Sequence, residues 1–114
     1  MKRYVYLITD RNRATLHVGM SADLLKTMSF YRQMPNLFFD HPNQLSRLVY
    51  FEELRTEADA LYRFERISKF TRAQKEKLIR EVNADWLDLS IGLDYENMLR
   101  SSGVHLPHPI KKAA

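Results

Sequence analysis

Residues 3–9, Arg-Tyr-Val-Tyr-Leu-Ile-Thr, then Asp10-Arg11-Asn12-Arg13, then residues 15–20, Thr-Leu-His-Val-Gly-Met, decide the fold. β-Branched and aromatic residues dominate the first run, which predicts a strand. The quartet that follows is polar and turn-forming. Residues 15–20 alternate and predict a second strand, and so short a connection makes the pair a hairpin. Tyr4 and Tyr6 have the same parity and face one side of the sheet. Gly19 interrupts the second strand near its end, where a glycine marks a bulge or a close approach of backbone.

Further along the chain, Ser21 is placed to cap a helix over 23–32, with Leu24, Leu25, Met28 and Tyr31 at helical spacing. Residues 33–46 contain Pro35, Asn36, Pro42 and Asn43 and read as a loop, with Leu37, Phe38 and Phe39 expected to pin it to the core. The third strand is expected over 45–54. Thr56 with Asp59 resembles a capping box and opens a helix over 57–69, which carries Leu61, Phe64 and Ile67 on one face. Thr71 with Gln74 repeats the signal for a helix over 72–82, which Asn83 can end. Trp86, Leu87 and Leu89 supply an apolar turn over the core, and residues 94–100 a short further helix. The natural solution is an α+β domain over residues 1–90, a three-stranded, mainly antiparallel sheet covered by helices. Residues 91–114 form a C-terminal extension, a short helix followed by a loosely ordered tail.

A chain of 114 residues fits one compact domain, and one of that size buries roughly two-thirds of its unfolded surface. It has no cysteine, which excludes disulfides and thiolate metal sites. The start, Met1-Lys2-Arg3-Tyr4, lacks the apolar run of a signal peptide, and no stretch approaches the roughly 18 apolar residues of a membrane span. The expectation is a cytoplasmic protein with no membrane partner. Lys and Arg number 18 against 14 Asp and Glu, a balance that allows a polyanionic partner without demanding one.

Where the charge sits says more. Arg63, Arg66, Lys69, Arg72, Lys75, Lys77 and Arg80 stand against only Glu65 and Glu76. Arg63 and Arg66 lie three apart and share a helix face. Such a face is either merely solvated or contacts nucleic-acid phosphates, a sequence-independent and salt-sensitive interaction. Tyr31 and Tyr62, if exposed, can stack on bases, and nothing encodes base-specific readout. His17 stands on a strand among apolar residues, where a packed or surface role competes with that of a general base; its ordinary pKa near 6.5 would suit the latter. His105 and His108 have a metal-like spacing, but Pro107 and Pro109 argue against a site; His41 has no visible partner.

An ordered set of segments resembles the GIY-YIG nuclease family, especially its small bacterial members related to the nuclease domain of excision-repair proteins. Tyr4-Val5-Tyr6 stands for the first motif and His17-Val18-Gly19 for the second. Gly19-Met20-Ser21-Ala22-Asp23-Leu24-Leu25 is close to the family's Gly-Val-Thr-x-Asp-Leu. Arg47-Leu48-Val49-Tyr50-Phe51-Glu52, Ala58-Asp59-Ala60-Leu61, Ile67-Ser68-Lys69-Phe70-Thr71-Arg72-Ala73 and Asn83-Ala84-Asp85-Trp86-Leu87-Asp88-Leu89 follow in order. The likeness covers about residues 3–90.

The resemblance implies the α+β fold already derived and a chemistry. In members that cut DNA, a tyrosine helps activate water, an arginine stabilises charge at the scissile phosphate, and a glutamate holds one divalent metal. Cleavage builds negative charge on phosphoryl oxygens, so a cation must lie close, and a metal lowers the pKa of bound water. Carried over by position, Tyr6 matches the first tyrosine, His17 replaces the second, Thr27 takes the place of the arginine, and Phe64 that of the glutamate. Lys26 and Glu65 are adjacent to these last two, but each lies about 100° around its helix. The expected catalytic set is therefore Tyr6, His17 and Lys26, with no metal site and no cofactor. The expected nucleic-acid face is Arg63, Arg66, Lys69 and Arg72, toward DNA or RNA. The leading expectation is a nuclease-like domain that binds nucleic acid with catalysis lost or much reduced, in the setting of DNA repair. The alternatives are an active, divalent-metal-dependent DNA endonuclease with an altered site, the one reading that requires Mg²⁺, and a protein-interaction module. A homodimer through the C-terminal extension belongs to the last.

Overall fold

The computed structural model describes residues 2–33 and 44–101. The elements run β1 (Arg3–Thr9), β2 (Leu16–Ser21), α1 (Leu24–Gln33), β3 (Arg47–Leu54), α2 (Glu57–Ser68), α3 (Arg72–Val82) and α4 (Ser90–Ser101). The fold is α+β, a three-stranded antiparallel sheet with four helices among the described residues. The expected positions of Leu37, Phe38, Phe39, His41, His105 and His108 lie outside the described residues, as does the expected tail.

The strands order β2-β1-β3, with β1 antiparallel to both neighbours. The parity of β1 then divides the core. Val5 and Leu7 face α2 and α3, where they pack with Val49, Tyr50, Ala60, Ile67, Ile79 and Trp86. Tyr6 and Ile8 face α1 and α4, where they pack with Leu24, Met28, Leu45 and Leu48. β2 follows the same alternation, with Leu16, Val18 and Met20 on the α2–α3 side. Between Leu7 and Ile8 the pairing with β3 slips, since Leu7 opposes Tyr50 but Ile8 opposes Leu48. This bulge lets the consecutive Val49 and Tyr50 both enter the α2–α3 core.

Several boundaries differ from the sequence expectation for identifiable reasons. β2 runs on through Ser21, and the helix cap is Asp23, whose Oδ1 accepts from Lys26 N at 3.1 Å. Ser21 Oγ instead accepts from Asp23 N at 2.9 Å and holds the approach to α1. β3 begins at Arg47, although Leu45 is already buried and Ser46 N donates to Thr9 O at 3.2 Å. Leu61 is exposed; Ala60 and Ile67 are the buried residues of α2, and Phe64 is half-buried. The helix expected over 94–100 already begins at Ser90, and its Leu93 packs against the α1 cluster. Asp88 makes that early start: its Oδ1 accepts from Ser90 N at 3.1 Å, Ser90 Oγ at 2.7 Å and Leu48 N at 3.2 Å. Arg32 Nη2 donates to Asp88 Oδ2 at 2.8 Å and to Ser90 Oγ at 2.6 Å, which joins α1, β3 and α4 at one point.

The β1–β2 turn is built on Asp10, which is fully buried. Its Oδ1 accepts from Asn12 N at 2.8 Å and Ala14 N at 3.0 Å, and its Oδ2 from Thr15 N at 3.1 Å. Arg13 takes the left-handed conformation, φ 57°, to close the turn. Asp10→Ala strips partners from three backbone amides at once. Unpaired buried donors cost about 1–3 kcal/mol each where water cannot replace the partner, so a loss of about 3 kcal/mol is expected in urea unfolding. A change below about 0.5 kcal/mol, the range of an ordinary surface substitution, would show that the turn does not depend on this carboxylate.

Candidate functional site

Tyr6 and Gly19 are cross-strand partners. Because Gly19 has no side chain, the Tyr6 ring lies across it; a Cβ at Gly19 would collide with Tyr6 Cε1, Cζ and Oη. Gly19 therefore serves a close approach, while the bulge of the sheet lies in β3. His17 is two residues earlier on β2 and on the same face as Gly19. Its Nε2 is 3.0 Å from Tyr31 Oη on α1, with the two rings 5.7 Å apart. Tyr31 also neighbours Tyr6, and burial together with a hydrogen bond to Tyr31 pushes the Tyr6 phenol well above its ordinary range. The three side chains form one chain. The direction of the Tyr31–His17 hydrogen bond follows the imidazole tautomer: Tyr31 donates when Nδ1 carries the proton, and Nε2–H donates to Tyr31 Oη when Nδ1 is bare.

Burial and then the nearby Lys75 ammonium hold the His17 pKa below its ordinary 6.5. The imidazole is accordingly neutral at pH 7. Tyr31 is the member of this chain that sequence reasoning did not assign to it. The helical spacing placed it on the apolar face of α1, and only the packing of α1 against β2 brings its hydroxyl to His17.

The other residues expected at a catalytic site are elsewhere or otherwise engaged. Thr27 Oγ1 lies 2.6 Å from Ser21 Oγ and 2.9 Å from Asp23 O, so its hydroxyl is used at the start of α1. Lys26 is exposed on the first turn of the same helix. Phe64 packs against the α2–α3 core, whereas Tyr6 belongs to the core on the opposite face of the sheet. The structure therefore does not gather Phe64 with Tyr6 in one cluster. Tyr4 packs edge-on against Phe51, ring centroids 6.3 Å apart.

The four cations of the expected nucleic-acid face divide in two. Arg63 is committed inward: its Nη2 lies 2.8 Å from Glu52 Oε2 and its Nε 3.0 Å from Glu52 Oε1. Tyr50 Oη donates to the same carboxylate; that carboxylate raises the pKa of Arg63, and burial, then Glu52, raises that of the phenol. Arg72 is committed too. Its Nε lies 2.8 Å from Glu76 Oε2, its Nη1 donates to Ala14 O at 2.9 Å, and its Nη2 donates to Arg13 O. Arg66 and Lys69 are exposed. The Arg66 guanidinium stands 5.9 Å above the ring of Tyr62, itself 64% exposed. A shallow pocket of about 290 Å³ lies beside this face, between Arg63, Phe70, Lys77 and Glu81.

Comparison with known proteins bears on the fold. Neither a family model nor a curated protein matches the chain. The fold is similar to that of a UPF0213 protein. That protein, from Bacillus halodurans and solved by NMR in solution, is 16% identical, superposes with a TM-score of 0.50, and matches over 77% of this chain and 93% of its own. UPF0213 proteins adopt a GIY-YIG-like fold. The likeness supports the architecture expected from the motif order. Among the described residues no helix is long and apolar enough to cross a membrane.

Two outcomes follow from the Tyr6–Tyr31–His17 chain. Gly19→Ala forces the Tyr6 ring away and should cost about 1–3 kcal/mol, the usual range for overpacking; Tyr6→Leu in the same chain should recover part of it. Equal losses with and without Tyr6→Leu would show that the ring is not the obstacle. His17 has a folded pKa below its unfolded value, so the unfolded chain takes up the proton first. The stability that His17 contributes is then complete above about pH 6.5 and is lost as pH falls through the lower folded pKa. Urea midpoints from pH 7.5 to 5 should decline in the native chain and decline less in His17→Gln.

Proposed function

We propose that the chain is a GIY-YIG-like module that binds nucleic acid through its phosphate backbone, with phosphodiester cleavage lost or much reduced. The observation that carries the binding half is the outer face of α2, where Arg66 and Lys69 present exposed charges beside the open ring of Tyr62. Lysine and arginine on such a face neutralise phosphates whatever the base sequence, and an exposed tyrosine gives a base a surface to stack on. Arg63 and Arg72 support this face from behind, since each already holds an internal partner.

The loss of cleavage is supported by the residues at the motif positions. Mg²⁺ prefers carboxylate oxygens and water, and Phe64 offers an apolar ring while Tyr6, His17 and Tyr31 offer none. These residues do not fit a divalent ion. Thr27 cannot supply the cation that a developing phosphoryl charge demands, and its hydroxyl is already engaged. One feature favours the altered-site endonuclease as a second reading: in the tautomer whose Nε2–H donates to Tyr31 Oη, a neutral His17 keeps the Nδ1 lone pair that a general base requires.

Binding and cleavage on duplex, single-stranded and branched DNA at two salt concentrations test both halves. Arg66→Glu with Lys69→Glu should weaken binding by tenfold or more at low salt and flatten the slope of log affinity against log salt by about 2. Arg63→Glu is expected to act mainly on stability, because it breaks the pair with Glu52. Unchanged affinity and slope in the double variant would remove the α2 face from consideration. Little or no Mg²⁺-dependent cleavage is expected of the native chain; robust cleavage that disappears in His17→Ala or Tyr6→Phe would establish the second reading instead.

A further inference from the structure

We propose that the crevice between α2 and α3 takes one unpaired nucleobase, so that the chain prefers single-stranded nucleic acid to a duplex. The inference rests on the reading of the chain as a nucleic-acid-binding module and names the form of its ligand. The crevice has a volume of about 290 Å³, close to the ~300 Å³ at which small-molecule sites begin. Arg63 lines it from α2, Phe70 from the connection, and Gln74, Lys77, Leu78 and Glu81 from α3. Two exposed cations stand at its margin. Arg66 is three residues from Arg63 on the same face of α2, and Lys69 directly precedes Phe70. A strand whose phosphates meet Arg66 and Lys69 therefore passes the mouth of the crevice.

The floor of the crevice is apolar. Phe70 and Leu78 are half-buried and pack against the α2–α3 core, and the surface they keep free lines the crevice. An aromatic ring there gives a base a face to stack on. The rim is polar. Gln74 Oε1 accepts from Thr71 N at 2.8 Å in the capping box, which fixes the amide and leaves the Nε2 hydrogens as donors. Arg63 holds Glu52 through Nε and Nη2, and its Nη1 has no partner among the described residues. Lys77 and Glu81 are exposed, lie four apart on α3, and have no ion pair among the described residues. The rim therefore offers donors and one carboxylate acceptor. The Watson–Crick edge of an unpaired base carries acceptors and N–H donors together, and so matches both. In a duplex that edge is already paired and the ring faces are covered by neighbouring base pairs. A free phosphate matches less well, because Glu81 repels it and the apolar floor gives it no contact.

The test measures affinity at one salt concentration for a short mixed-sequence DNA strand, for a fully abasic strand of the same length, and for the corresponding duplex. The abasic strand keeps the phosphates and lacks only the bases. The native chain should hold the base-bearing strand about tenfold more tightly than either, the scale of one stacked base. Phe70→Leu keeps an apolar contact with the core but removes the ring, and Glu81→Gln alters only an exposed acceptor. Each should remove most of that preference. Glu81→Gln decides if Phe70→Leu fails to fold, and its loss of preference is one that stacking on the exposed Tyr62 ring does not explain. A native chain without the preference, or a preference that survives Glu81→Gln, overturns the site. The broader reading fails separately. Equal binding of all three ligands that depends on Arg66 and Lys69 sinks the crevice alone. A Gln74 side-chain amide that responds by NMR to guanosine monophosphate in the native chain but not in Glu81→Gln, where no strand is retained, upholds the crevice as a base site and sinks the module.

Discussion

Every residue from Val5 to Asp10 is buried, and this double burial of one strand sets the terms for the rest of the fold. A central strand with apolar side chains on both faces needs a layer of helices on each side. α2 and α3 supply one layer, and α1 and α4 supply the other. The strand must also end without exposing its terminal amides and carbonyls. Asp10 meets that demand by folding three following amides back onto a single carboxylate. Tyr6 is admitted to this strand because Gly19 leaves room beside it. The candidate site thus begins as a packing solution in which one large ring replaces two ordinary side chains.

Much of this was legible because β-strand parity and helix capping are local. The hairpin, the three-strand order of elements and the Thr71–Gln74 capping box needed no knowledge of distant residues. The box is present with both reciprocal bonds. What could not be read is what depends on residues far apart in sequence. The extra residue in β3 is detectable only when Val49 and Tyr50 are seen on one face. α4 starts at Ser90 because Asp88 is held by Arg32, 56 residues earlier. Leu61 fits the apolar period of α2 yet is exposed, since Ala60 and Ile67 already fill the available contact with the sheet.

Charge was the least legible feature. A count of basic residues along α2 and α3 treats every cation as available, but the folded chain spends Arg63 on Glu52 and Arg72 on the hairpin turn and Glu76. The Arg63–Glu52 pair is partly buried, where desolvation nearly offsets pairing, and the Arg72 contacts are exposed, where an ion pair is worth little, so both serve placement more than net stability. They fix α2 on β3 and α3 on the β1–β2 turn, and they leave a shorter list of cations that can act outward. The positions singled out by resemblance are likewise occupied from within: Thr27 offers a hydroxyl that secures a helix start, and Phe64 an aromatic ring packed against a core.

The turn between α3 and α4 carries one further consequence. Trp86 sits at φ 55°, buried, with the Arg13 guanidinium 4.9 Å over its ring and Arg13 Nη2 donating to Asp85 O at 3.4 Å. It is the sole tryptophan of the chain. Its fluorescence therefore comes from a place where the hairpin turn meets the segment that follows α3. A cation stacked on an indole alters its emission in a way that simple burial does not. The chain carries a native optical reporter for the docking of its first hairpin onto its last turn, readable without a label and separate from global unfolding.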